Sequence, residues 1–354
     1  MDTVSVSGNL YTQLDHSRRL WGQQLDTLGL GPLETPSRRV LTAPCLTLKT
    51  YPDTVNGRAI LLVPAPIKRA YLWDLAPWAS VVRRCLAGGL QVYLAHWESP
   101  GEAERNFGLE QYADRLLLTC VDAIHAETGQ AAVFLAGHSL GGTLAALFAA
   151  LHPDRVQGLI LLSAPLHFGP AVGLFGPIVA VAPPARELTA VLGNVPGSLL
   201  NEICLLASPV TFGWARWLDW LGSLSDLRTR WTHLLVERWT LDELPLPQRL
   251  FEDLVEDLYR QDRFLQGKLV IEGTPVMPAQ VTAPLVSVLD KRCRLVPPEA
   301  VLPFHDAVSS TDKTVLRYEG DTGVALQHVG MLIGQHAQQY LWPTLIRWVQ
   351  TQAS

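Results

Sequence analysis

The residues Gly137-His138-Ser139-Leu140-Gly141 place a serine between two glycines, with AVFLA before them and LGGTLAALFAAL after. A lone G-x-S-x-G is a weak signal. Here it falls where an apolar strand pattern gives way to a helical one. A sharp strand-to-helix turn needs small residues on both sides, because neighbouring backbones pass close. Such a turn lifts the serine hydroxyl above the sheet edge and sets it at a helix N-terminus. The Leu140 N–H can then face a developing oxyanion. Ser139 is therefore read as a nucleophile rather than a small residue in a plain turn.

A serine hydroxyl needs a base to activate it. Elbows of this kind are followed in chain order by an acid and then a histidine, both on late loops. His328 lies in LQHVGMLIG, between the last strand pattern and the closing helix, and is the expected base. Among the other histidines, His138 is inside the turn, and His152 and His336 lie on helical patterns. For the acid, PLVSVLDKRCRLVPPEA carries Asp290 immediately after a strand pattern, with Cys293 three residues later.

The elements that must position these groups alternate. Apolar, β-branched runs at 59–63, 90–95, 132–136, 159–163, 285–289 and 314–318 read as strands. Helical patterns at 78–86, 109–126, 140–151 and 335–350 fall around them. Such alternation implies a mainly parallel sheet covered on both faces.

Between Pro165 and Pro284 the alternation stops, and the stretch is rich in proline and tryptophan. It reads as a cap inserted over the C-terminal edge of the sheet. Trp214, Trp217 and Trp220 are spaced three apart and can share a helix face. Trp217 and Trp220 are the candidates for an apolar wall against an acyl or polyester ligand, with cap-to-core packing as the alternative.

Of the 354 residues, 48% are hydrophobic and 17% charged, enough apolar matter for one large domain carrying an insertion. The net charge of −5 and the lack of a Lys/Arg cluster argue against nucleic acid as a partner. Five scattered cysteines (Cys45, Cys85, Cys120, Cys204, Cys293) show no metal-ligand spacing and no disulfide framework, which fits a reducing cytoplasm. No secretory h-region opens the chain. The run 156–185 has no Asp, Glu, Lys or Arg, but its five prolines argue for a buried strand and an apolar loop rather than a membrane span.

Over residues 45–350 the sequence resembles the polyhydroxyalkanoate synthases, polymerases of hydroxyacyl-CoA. The resemblance rests on LLVPAPIKRAYLWDL, GLQVYLAHWESP, GHSLGGTLAALFAALHPDRVQGLILLSAPLHF, ERWTLDELPLP, LYRQDRFLQGKL and HVGMLIGQHAQQYLWPTLIRW. It implies a hydroxyacyl-CoA or polyester substrate. The length resembles that of the short synthases, which implies a second synthase subunit as partner and a place at the surface of polyester granules. The departures matter as much. The family's nucleophile is a cysteine where this chain has Ser139. Its orienting aspartate lies four residues before the proline of an I-V-P run, which counts back from Pro297 of Leu295-Val296-Pro297 to Cys293. Its Asp-Trp and Asp-Phe pairs are here His96-Trp97 and His167-Phe168.

A thiol is the better nucleophile and thioester-exchange partner, so serine argues for hydrolysis or another acyl transfer over chain growth. The reading is an α/β-hydrolase fold with an N-terminal extension (1–44), a core (45–165 and 284–354) and a cap (166–283). Ser139 attacks an acyl ester or thioester, His328 is base and then acid, and Asp290 orients His328. The Leu140 N–H and one from residues 64–68 hold the oxyanion. No metal or organic cofactor is implied. The alternatives are a working synthase and a catalytically weak granule-associated or regulatory subunit.

Overall fold

The structure, a computed structural model, describes residues 3–52, 57–224 and 226–352. Eight strands form one sheet: β1 (Arg38–Ala43), β2 (Leu46–Thr50), β3 (Ala59–Val63), β4 (Gln91–Trp97), β5 (Val133–His138), β6 (Val156–Leu162), β7 (Leu285–Asp290) and β8 (Lys313–Tyr318). Their spatial order is β1-β2-β4-β3-β5-β6-β7-β8. The β1–β2 and β2–β4 pairs are antiparallel and all the others parallel.

The period-2 rule decides which residues meet which layer. Leu61 and Val63 of β3 join one core with α3 (Leu116–Thr128) and α4 (Leu140–Leu151). Ile60 and Leu62 join the opposite core with α2 (Val81–Ala87) and the C-terminal helix. Because both faces are covered, all five residues of β3 are buried, which explains the uninterrupted AILLV run. The outer strands β1 and β8 are half-exposed.

All six expected strands are present, the one at 59–63 with its ends as expected and the other five shifted by one to three residues at one or both ends. Two elements at the start of the chain were not expected. The hairpin β1–β2 extends the sheet before residue 45, so the first strand lies in the stretch read as an extension. Helix α1 (Thr3–Leu25) lies against the cap. Among the described residues, no helix is long and apolar enough to cross a membrane. The charge-free run 156–185 becomes strand β6, a loop and the short helix Gly176–Val181.

The insertion folds into short helices, of which α5 (Gly197–Ala207), α6 (Ala215–Ser223) and α7 (Leu227–Trp239) matter most here. Asp226 caps α7 by accepting from the Thr229 N–H. Helix α1 clasps this cap. The buried Asp15 accepts from the backbone N–H groups of Gly197 and Ser198 at the start of α5. Arg18 reaches Glu243 Oε1 at 2.7 Å, and Lys68 Nζ meets the same oxygen at 2.9 Å. Glu243 thus joins the N-terminal helix, the cap and the loop after β3 at one buried point.

Removing one charge from a buried ion cluster leaves the others uncompensated. We expect Glu243→Gln to lower unfolding free energy by about 3 kcal/mol. Urea denaturation, with tryptic cleavage in α1 as a local readout, checks this. A change within error would mean that Arg18 and Lys68 find solvent or other partners.

Candidate active site

Ser139 sits where β5 ends and α4 begins, with φ 56° and ψ −134°. A left-handed serine costs about 1–3 kcal/mol and persists only where the surroundings over-determine it. They do so here. The Ser139 N–H donates to the Leu162 carbonyl at 3.0 Å, while its own carbonyl accepts from Gly142 and Thr143. A Cβ on Gly141 would lie 2.1 Å from the Val63 carbonyl oxygen, and one on Gly137 would lie 2.5 Å from Gly142 Cα. Only glycine allows the helix start to come this close to β5 and to the turn after β3.

That approach brings the start of α4 and the turn after β3 to one space. Leu140 opens α4, so its N–H has no intrahelical partner. The turn after β3 is pinned by the Trp97 indole, which donates to the Pro64 carbonyl at 2.7 Å. Both Leu140 and residues 64–65 and 67–68 line one cavity with Ser139 and His328. The cavity encloses about 370 Å³ between core and cap.

His328 opens α8 (Gln327–Ile333). Its backbone carbonyl accepts from His138 Nε2 at 2.7 Å, and the two imidazoles face each other with centroids 4.5 Å apart. Its Nδ1 lies 3.3 Å from Cys293 Sγ. Its Nε2 is buried and without a hydrogen-bond partner among the described residues. Burial, reinforced by the neighbouring His138, holds His328 well below the ordinary histidine value, and burial takes His138 down to about 4. Both rings are neutral near pH 7.

The carboxylate expected to orient His328 is not in contact with it. Asp290 is buried, one oxygen accepting from the Arg292 N–H at 2.8 Å and the other unpartnered. Burial raises it above the usual carboxylate range. The turn after β7 presents Cys293 to the ring instead, its N–H bonded to the Asp290 carbonyl at 3.2 Å. Burial pushes the Cys293 thiol up to about 11, so it meets the imidazole uncharged.

Trp217 and Trp220 do not line the cavity. Trp217 is exposed on the outer face of α6, and Trp220 packs on His233, centroids 5.3 Å apart. The inner face carries Phe212, Ala215, Arg216 and Asp219, spaced three and four apart. The phase of the helix, which the tryptophan spacing leaves open, follows from the contacts of Asp219. Neither histidine at the departing positions lines the cavity. His167 donates from Nδ1 to Asp262 at 2.7 Å, and His96 is held at about 3 by burial. Sequence reasoning noted Cys293 only as a departure and missed Asp219, Lys68 and the His138–His328 contact. Among the described residues, no group of three or more His, Cys, Asp or Glu side chains could hold a metal.

Sheet order, elbow and histidine loop together define an α/β hydrolase. The sequence family described as the alpha/beta hydrolase fold matches residues 60–180. A monoacylglycerol lipase of Paleococcus ferrophilus superposes with a TM-score of 0.55 at 16% identity, over 87% of this chain and 99% of that one. A thermophilic esterase of Thermogutta terrifontis gives 0.52 at 16% identity, over 90% and 100%. Within this class the chain is similar to poly(3-hydroxyalkanoate) polymerase subunits. It is 31% identical over 321 residues to a protein named poly(3-hydroxyalkanoate) polymerase subunit PhaC from Haloferax mediterranei, covering 89% of this chain and 64% of that protein. It is 28% identical to the subunit of the same name from Allochromatium vinosum, over 99% of both. The chain spans less than two thirds of the two haloarchaeal relatives, 64% of the Haloferax protein and 60% of the Haloarcula marismortui one.

The buried neutral histidines predict acid sensitivity. For His96, His138 and His328, the folded-state value lies below the ordinary 6.5. Between the two values the unfolded chain binds protons that the folded chain does not. Stability is therefore full above about pH 6.5 and falls as the pH drops below it, by about 1.4 kcal/mol per pH unit for each such histidine. Urea midpoints measured from pH 7.5 to 5 are expected to fall steeply, and His96→Asn to flatten the slope by about one proton. A flat profile would mean that these imidazoles are hydrated.

Proposed function

We propose that the protein catalyses acyl transfer through a Ser139 ester, acting on hydroxyacyl esters or thioesters. The observation that supports this most is the free Nε2 of His328 in the cavity that Ser139 enters from a strained elbow. The similarity to poly(3-hydroxyalkanoate) polymerase subunits supports a hydroxyacyl-CoA or polyester as the acyl source.

In the first half-reaction Ser139 Oγ attacks the acyl carbonyl and its proton passes to His328 Nε2. The tetrahedral oxygen takes the Leu140 N–H and one N–H of residues 64–68. Its collapse breaks the bond to the leaving group, which takes the proton from His328. In the second half-reaction water or a hydroxyl acceptor loses its proton to His328 and attacks the serine ester; collapse then breaks the bond to Ser139 Oγ, which takes the proton back from His328 and releases the acyl product. Cys293 is the group that holds the ring, and Asp290 supports the turn that presents it.

A hydrolase or acyltransferase is the leading reading. Polymerisation of hydroxyacyl-CoA is the second, supported by the relatives' printed names. A catalytically weak, granule-associated or regulatory subunit is the third, supported by the uncharged thiol beside His328. The exposed apolar face of α6, with Trp214, Trp217, Leu218 and Leu221, supports a second synthase subunit or a granule surface as its neighbour inside the cell.

Fluorophosphonate labelling with peptide mass mapping is expected to place the adduct on Ser139, and Ser139→Ala to abolish it. With 3-hydroxybutyryl-CoA the expected products are free acid and CoA. Polymer would favour the synthase reading. A folded parent that neither labels nor releases CoA would end both enzymatic readings.

The second test is at Cys293. A carboxylate fixes the Nδ1–H tautomer and stabilises the imidazolium, and losing that group from a triad can cost about 10⁴ in rate. Cys293→Asp is expected to raise kcat by about tenfold or more, and Cys293→Ala to change it only slightly. Asp290→Asn separates the two carboxyl roles. A large loss with Cys293→Ala unchanged would return the orienting role to Asp290.

A further inference from the structure

We infer that Asp219, on cap helix α6, is a positioning residue for His328, so that the catalytic base is set in place by the cap as well as by the core. One carboxylate oxygen accepts from the Gly323 N–H at 2.7 Å and the other from the Ala325 N–H at 2.7 Å. These two donors lie five and three residues before His328. Gly323, Val324 and Ala325 are buried, so neither N–H has water as an alternative.

The loop is held in a conformation it would not choose alone. Gly323 has φ +74° and Ala325 φ +58°, the second being left-handed with a side chain. A Cβ on Gly323 would lie 2.0 Å from Thr229 Cγ2, so the loop also abuts α7. Glycine takes its positive φ freely, but a left-handed alanine such as Ala325 persists only where fixed partners over-determine it. Asp219 supplies those partners. It is itself held by His233 of α7, whose Nδ1 lies 3.0 Å from the carboxylate and whose Nε2 lies 3.6 Å from Glu237.

His328 is thus gripped from three directions. His138 holds its carbonyl, Cys293 faces its Nδ1, and Asp219 shapes the loop leading to it. The first two come from the core and the third from the insertion. A cap displaced from the core takes its hydrogen bonds to Gly323 and Ala325 with it. The ring then loses its place in the cavity it shares with Ser139, and ester chemistry is confined to the closed arrangement. A carboxylate that only docked the cap would leave His328 unmoved when replaced.

The catalytic consequence rests on the acyl-transfer reading, and the experiment keeps the two apart. Asp219→Asn retains the volume but turns one acceptor into a donor facing an N–H. His233→Gln loosens the carboxylate without altering it. Two readouts are taken on the full chain: the nitrogen-15 imidazole NMR signals of His328, and the rate of fluorophosphonate labelling at Ser139.

Asp219→Asn is expected to lower thermal stability and, read well below its melting temperature, to shift the His328 signals and tautomer ratio and to slow labelling by about tenfold or more. His233→Gln is expected to act in the same direction with smaller size. Unchanged His328 signals in both variants would overturn the inference and leave Asp219 as a docking contact. If Asp219→Asn does not fold, His233→Gln decides on the same readouts. A parent that fails to label while its His328 signals still follow Asp219 would refute the acyl chemistry and leave the positioning role standing.

Discussion

The contact between the start of α4 and the turn after β3 is the constraint from which the site follows. Gly141 brings the helix backbone against Val63 and Pro64 more closely than any side chain allows. β3 and β5 are neighbours in register, Val63 opposite Gly137, so both connections leave the sheet at one level. Two sets of backbone N–H groups from adjacent connections then face one space. On the other side of β5, the Leu162 carbonyl of β6 takes the Ser139 N–H and fixes the serine's unusual dihedrals. The strain at Ser139 is thus borne by three adjacent strands whose residues are almost wholly buried.

The histidine is held quite differently. His328 is on no strand, and its place depends on side chains that arrive separately. His138 comes from the elbow, Cys293 from the turn after β7 and Asp219 from the cap. Ser139 is therefore fixed by the sheet, while His328 is fixed by loops and by the insertion. The cap is in turn clasped by α1 through Asp15 and Glu243. Elements distant in sequence converge on one cavity, and His328 is the member with most to lose from their loosening.

The central sheet and the elbow were legible because their signals are local. AILLV, AVFLA and LILLS are apolar runs short enough for strands, and GHSLGG can do little but turn. The hairpin RRVLTAPCLTLKT escaped notice because its outer strand is half-exposed and its turn uses Cys45 at φ +62°, where no glycine marks it. The N-terminal helix gives little periodic signal and is held by long-range bonds to the cap. Trp217 and Trp220 share spacing with the lining residues but not their phase. Which face of α6 turns inward is decided by Asp219, whose partners lie more than a hundred residues away. A carboxylate whose role is to hold distant backbone groups has no signature in its own neighbourhood.

The exchange of carboxylate for thiol beside His328 has a consequence for the leaving group. A carboxylate only accepts, so it requires the proton on Nδ1 and leaves the Nε2 lone pair for the serine. A neutral thiol can donate or accept, so both tautomers of His328 are allowed. In the proposed reaction it also offers no charge to the imidazolium formed as Ser139 loses its proton, and the adjoining His138 and the surrounding burial disfavour that cation further. A step that depends on full protonation of the departing atom is hindered most. An alkoxide needs that proton, having a conjugate acid far above neutral pH. A thiolate, whose conjugate acid has a pKa of about 8.5, can leave with far less help. The neutral surroundings of His328 therefore suit thioesters better than oxygen esters in the acylation step. They place the greater burden on deacylation, where water or a hydroxyl must be deprotonated by the same weak base.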